Sequence, residues 1–179
     1  MIRATRVRRL NEADLEAAFR LRLEALRLER DAFCTTLEEA LESGPTFLRE
    51  SLQASDRAAV FGAFAADEDD TGGALVAMVT VYHERAAKLR HRAMIVGMYV
   101  NKAYRGLGLG GQLVDSALSF ARDELRVRQV HLGVEAEHAA AIALYESRGF
   151  AAWGREPASG MDGGRLLDQI HMLKVFDSV

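Results

Sequence analysis

Residues 93–111 read AMIVGMYVNKAYRGLGLGG, and the fold turns on what they form. The first eight, AMIVGMYV, are uniformly apolar, as in a strand buried on both faces. YRGLGLGG follows at 104–111, with four glycines in the six residues 106–111. That density of glycine either turns a backbone sharply or brings it close to a partner. Further on, Leu113, Val114, Ala117, Leu118, Ala121 and Leu125 recur at helical spacing. The stretch reads as strand, glycine loop, helix.

Three phosphate-binding loops can be written with these letters. Gly106 and Gly111 have the GxxxxG spacing of a nucleotide triphosphate loop, but Gln112 and Leu113 stand where Lys and Ser/Thr must supply charge and a magnesium ligand. Gly106, Gly108 and Gly111 spell the GxGxxG of a dinucleotide site, and Glu135 lies where a ribose-binding acid would sit. Against this, NKAYR separates the apolar run from the first glycine. The loop also falls too late in the chain for both halves of a doubly wound fold. Arg105, Gly108 and Gly110 fit a third pattern, R-x-x-G-x-G, which is a cheap match on composition alone and needs its context.

The rest of the chain supplies that context. Residues 2–8 fit a strand, Asn11 a helix cap, and Leu15, Phe19, Leu23 and Leu26 a helix. A second helical segment spans about Thr36 to Ser43, broken by Gly44-Pro45, and FLRESLQ forms a third. AAVFGAFAA (58–66) and GALVAMVTVY (73–82) read as a hairpin, with DEDD (67–70) at its solvated tip. QVHLGV (129–134) is a strand and AAAIALYESR (139–148) a helix stopped by Gly149. Two last strands are expected near 150–156 and 166–176, turning at GMDGG (160–164). Gly97 inside its strand marks a bulge or a close ligand approach.

Length and composition bound the functions open to it. The 179 residues suit one domain. A net charge of −3 argues against nucleic acid as a partner. No apolar stretch approaches the roughly 18 residues of a membrane span. MIRATRVRRL lacks the apolar core of a secretory signal, so a cytoplasmic location is expected. The single cysteine, Cys34, excludes an internal disulfide, and the five histidines show no metal-ligand spacing.

The order of strand, YRGLGLGG loop, helix, strand, and a helix ending in Leu144-Tyr145-Glu146 with Gly149-Phe150 resembles the GCN5-related N-acetyltransferase (GNAT) family. The resemblance is clear over 93–150. It implies an α/β (α+β) fold. The central sheet would be mixed and mostly antiparallel, of six to seven strands flanked by helices, with a splayed β-α-β unit that binds acyl-CoA. One domain would fill 1–179: acceptor-side elements over 1–92, the acetyl-CoA core over 93–150 and a C-terminal hairpin over 151–179.

The activity so implied is acetyl transfer from acetyl-CoA, as cosubstrate, to a primary amine by direct attack, with no metal. A non-catalytic acyl-CoA sensor would carry the same loop. The resemblance assigns the pantetheine arm to Met98, Tyr99 and Val100. It assigns the pyrophosphate to Arg105, Gly106, Leu107, Gly108, Leu109, Gly110 and Gly111, whose N–H groups and helix start suit an anion. His138 stands where the family often has an asparagine touching the cofactor. Tyr145 matches a tyrosine that protonates the departing thiolate or only contacts the cofactor. The acceptor amine needs a base. Glu84, just past strand 73–82, is the first choice, with His83 and Glu135 behind it. Asp168 reads by default as a turn or surface acid, with a place near the acceptor cleft as the alternative. The acceptor is unnamed by sequence, and a homodimer is left open.

Overall fold

The apolar runs assemble into one seven-stranded sheet in the computed structural model, which describes residues 5–54, 56–65 and 73–176. β1 (Thr5–Arg9), β2 (Ala58–Ala65), β3 (Leu75–His83) and β4 (Arg92–Val100) run antiparallel in sequence order. β5 (Gln129–Glu135) joins β4 in parallel. β6 (Ala151–Asp162) and β7 (Arg165–Val175) close the sheet in the order β1-β2-β3-β4-β5-β7-β6. The expected six to seven, mostly antiparallel, strands are therefore what forms. The DEDD tip at 67–70, and residues 2–4 of the first expected strand, lie outside the described residues.

Helices cover both faces. α1 (Leu15–Leu28), α2 (Leu37–Ser43) and α3 (Thr46–Gln53) lie on one side, α4 (Leu109–Asp123) and α5 (Ala139–Glu146) on the other. The alternation of β3 makes the division: Ala77, Val79 and Val81 face α4, while Met78 faces α1. Leu113, Val114, Ala117 and Ala121 of α4 are fully buried against Val79, Val81 and Val130. Each such leucine or valine contributes about 1.5–3 kcal/mol by leaving water.

Local chemistry sets the helix starts. Asn11 accepts from the Ala13 N–H at 2.9 Å while Asp14 accepts from the Asn11 N–H at 2.9 Å, capping a short 3-10 turn that leads into α1. Arg8 grips Asp14 at 2.7 and 2.8 Å and holds its carboxyl below the usual range. Thr36 and Glu39 make the same reciprocal cap for α2.

The feature that positions the site is a parting of strands. β4 and β5 pair only at Arg92–Met94 with Gln129–His131. On its other edge β4 carries one residue too many: Met78 faces Tyr99 but Thr80 faces Val96. That is a β-bulge, and Gly97 within it has φ +64°, a left-handed conformation that an L side chain resists. The bulge bends β4 away from β5, and beyond Met94 its inner edge is left without a neighbouring strand. The glycine in this strand thus does mark a bulge.

The C-terminal hairpin differs from expectation. Gly160, Met161 and Asp162 pair with Leu167, Leu166 and Arg165, so they belong to β6. Only Gly163 and Gly164 turn, both with positive φ (+54° and +84°), as a two-residue loop of the primed type requires. GMDGG looked like a turn because it is glycine-rich, yet two glycines suffice. Among the described residues no helix is long and apolar enough to cross a membrane.

Gly97→Ala should lower stability by about 1–2 kcal/mol, the usual cost of a left-handed L residue. A urea melt checks it, and an unchanged midpoint would mean that the bulge does not need glycine.

Candidate active site

The groove opened by the parted strands is lined by β4, the glycine loop and α5, and has a volume of about 740 Å³. Its floor is Met98, Tyr99 and Val100. The Tyr99 side chain itself points the other way, where its hydroxyl donates to Glu24 Oε1 at 2.9 Å. Asn101 Nδ2 donates to the same oxygen at 2.7 Å. Burial, with Glu24 beside it, pushes the Tyr99 phenol up to about 12. What Tyr99 offers the groove is therefore backbone, on an edge open to a ligand that pairs like a strand.

The loop closes the end of the groove. The N–H groups of Gly106, Leu107 and Gly108 donate to no protein acceptor among the described residues. α4 begins at the next residue, with its first N–H groups free by geometry and its dipole positive there. Gly108 has φ +76° as the residue that enters α4, so it is needed for conformation, and a Cβ there would meet nothing within 4 Å. At Gly110 a Cβ would stand 3.0 Å from Leu144, so this glycine lets α4 approach α5. Gly108 and Gly110, which share one motif, thus do different work.

Arg105 is held back by the protein. Its Nε donates to the Val100 carbonyl at 3.0 Å and its Nη2 to Glu29 Oε1 at 2.6 Å. This pair straps the loop to the end of α1. Of the predicted cofactor residues, Met98, Tyr99, Val100, Arg105, Gly106, Gly108, Leu109, Gly110, Gly111 and His138 line the groove. Leu107 turns inward onto the core instead. His138 makes no cap for α5; its Nε2 lies 3.6 Å from Asp31 and 4.0 Å from Glu135.

Tyr145 is also off the groove surface, though Leu144 beside it lines the wall. It is 6% exposed, with its ring edge-on to Phe150 at 5.8 Å. Burial pushes its phenol up to about 12.

A second groove, of about 720 Å³, lies on the α1–α3 side of the same strands. Arg22, Phe33, Phe47, Tyr82, Gly97 and His171 are among its walls. His171 Nε2 lies 2.7 Å from Glu156 Oε2. Ala32 and Phe33 line both grooves, and the consecutive residues Gly97 and Met98 line one each.

The bases expected from sequence lie elsewhere. Glu84 sits 3.5 Å from Arg92, and its N–H donates to the Arg92 carbonyl. That is the closed end, where β4 and β5 are still joined, and Glu84 lines neither groove. The His83 imidazole is engaged by the Arg90 carbonyl at 2.6 Å. Glu135 is buried and accepts from the Glu137 N–H at 3.0 Å. It lines a smaller pocket with Asp168, whose carboxylate is held by Arg155 and the Ala158 N–H. Sequence reasoning missed Arg22 and Phe33, and passed over His171. Arg22 sits in an arginine-rich helix and His171 in an ordinary-looking strand, so neither carries a local signal.

The profile of the Acetyltransferase (GNAT) family matches residues 22–150. A Bacillus subtilis protein with the provisional name phosphinothricin acetyltransferase is 31% identical over 56% of this chain and 60% of its own length. The chain thus spans less than two thirds of that relative. A GNAT-family acetyltransferase from Streptococcus pneumoniae superposes with a TM-score of 0.82 at 22% identity, over 97% of this chain and 100% of its own. A phosphinothricin acetyltransferase from Sinorhizobium meliloti, solved with acetyl-CoA, gives 0.78 at 22%, over 98% of this chain and 89% of its own. With the parted strands, the glycine loop and the LYE helix all in register, the chain belongs to the acetyltransferase (GNAT) family.

Proposed function

We propose that the protein transfers an acetyl group from acetyl-CoA to a primary amine of a small molecule or peptide, by direct attack in a ternary complex. The observation that carries this reading is the pair of grooves meeting at the β4 bulge with Ala32 and Phe33 as a common wall. A donor in one and an acceptor in the other meet at one point, and proximity alone removes much of the barrier. The pyrophosphate of acetyl-CoA suits the unpartnered N–H groups of 106–108 and the start of α4. Its pantetheine arm suits the unpaired edge of β4.

The attacking amine must be neutral. Histidine is the side chain that ordinarily titrates nearest neutrality, and His171 lies in the acceptor groove with Glu156 to orient it. Its place in the groove favours it as the base over Glu84, which stands outside. As the thioester carbon–sulfur bond breaks, the thiolate takes the electron pair. Burial pushes the Tyr145 phenol up to about 12, above the ~8.5 of an ordinary thiol, which disfavours complete proton transfer from it. Tyr145 lies behind the wall that Leu144 lines, so its part is at most a hydrogen bond to the thiolate, with solvent or buffer completing protonation.

Thiol release from acetyl-CoA against a panel of amines tests the reading. Binding of acetyl-CoA with no turnover on any amine would leave a sensor instead. His171→Asn should lower kcat/KM by about 100-fold or more, the worth of a positioned general base, with acetyl-CoA still stabilising the variant in a thermal melt. If Glu84→Gln causes that loss and His171→Asn does not, the base is Glu84. Tyr145→Phe should lower kcat by about 10–100-fold, the worth of one hydrogen bond to a charged group. It should add or remove no alkaline limb below pH ~11, since a phenol raised to about 12 stays protonated there.

A further inference from the structure

Arg22 is the charged group that the fold leaves unanswered. It lies on α1, half-buried, and lines the acceptor groove. Its guanidinium makes no hydrogen bond or ion pair with any described residue. Burial pushes its pKa below the ordinary value, and no carboxylate stands near enough to offset this. The acids around the groove are committed elsewhere. Glu24 takes Tyr99 and Asn101, Glu50 pairs with Arg85 at 3.5 Å, and Glu156 holds His171. Surface arginines keep their charge in water, but a half-buried one without a counter-ion is costly unless something brings the anion.

Its position says where that anion would be. A Cβ placed on Gly97 would stand 3.9 Å from Arg22 Nη1, so the guanidinium borders the bulge at which the two grooves meet. An anion bound there is next to the point of transfer. The acceptor's amine must reach the same point. Both conditions are met when amine and anion are separated by a single carbon, as in an α-amino acid. Arginine suits a carboxylate in particular, because its planar fork donates two parallel N–H bonds. The other walls, Phe33, Phe47, Tyr82 and Met94, are mostly apolar and leave room for the amino acid's side chain.

On the reading that this is an acetyltransferase, we propose that Arg22 is the carboxylate subsite of the acceptor groove and that the acceptor is a free α-amino acid or a close analogue, acetylated on its α-amine.

The test compares L-methionine and L-phenylalanine with their decarboxylated amines, 3-(methylthio)propylamine and 2-phenylethylamine, in wild type, Arg22→Gln and Arg22→Lys. In wild type, kcat/KM for the amino acid should exceed that for the matched amine by about 100-fold, as expected when a buried charged donor is left unpaired. Arg22→Gln should bring this ratio to within about threefold of unity, chiefly through the acceptor KM, and Arg22→Lys should restore part of it. Stabilisation of each variant by acetyl-CoA in a thermal melt verifies that the fold and the other groove are intact. If the amines are used as well as the amino acids by wild type, or if Arg22→Gln lowers both in parallel, the carboxylate subsite is overturned and acetyl transfer stands. If wild type releases no thiol with any amine, the transferase reading falls and the subsite with it.

Discussion

Everything functional here depends on two parallel strands failing to stay together. A parallel ladder that has begun at Arg92–Met94 would normally run on, since each further pair satisfies backbone groups that are costly to leave alone. One extra residue at Gly97 prevents it. The bulge redirects β4 while β3 keeps its other edge paired, so the strand stays anchored as it turns. The result is a backbone edge inside the protein, shielded from other sheets by the helices around it, and available to a ligand instead of to another strand. The glycine loop, the start of α4 and both grooves take their places from that single deviation.

The division of labour among the glycines follows. Gly97 and Gly108 are there for backbone angles, Gly110 for the approach of two helices. Their shared letter hides two different physical demands. This also explains why the loop looked compatible with three cofactors when read alone. Glycine spacing records where a backbone must bend or approach, and several ligands need similar bends.

Legibility from sequence tracked how local each determinant is. The loop, the helix after it and the LYE helix rest on contiguous residues with their own periodicity and stop signals, and they appear where expected. The bulge was foreshadowed because glycine in an apolar strand has few explanations. The second groove was hidden. Its walls come from α1, the segment after it, α2, α3, β3, β4, β5 and β7, and no one of these carries a pattern that mentions the others. Arg22 sits among many arginines, and only the folded structure separates it from those that face water or an acid. Glu84 illustrates the converse: its place just past a strand was read correctly, but which end of the strands opens cannot be told from a linear pattern. Its pairing with Arg92 puts it at the end that stays shut.

Ala32 and Phe33 form a partition between two chambers. A partition has no side of its own. A shift of Phe33 toward one chamber would enlarge the other, which would couple the free energies of filling them through one side chain. Such coupling is reciprocal: whatever the first ligand does to the affinity for the second, the second does equally to the first. The segment sits between α1, which Glu29 ties to Arg105 of the glycine loop, and α2, which borders the second groove. Mechanical continuity therefore runs from the glycine-loop end of one chamber to the far wall of the other, along about fifteen residues of chain.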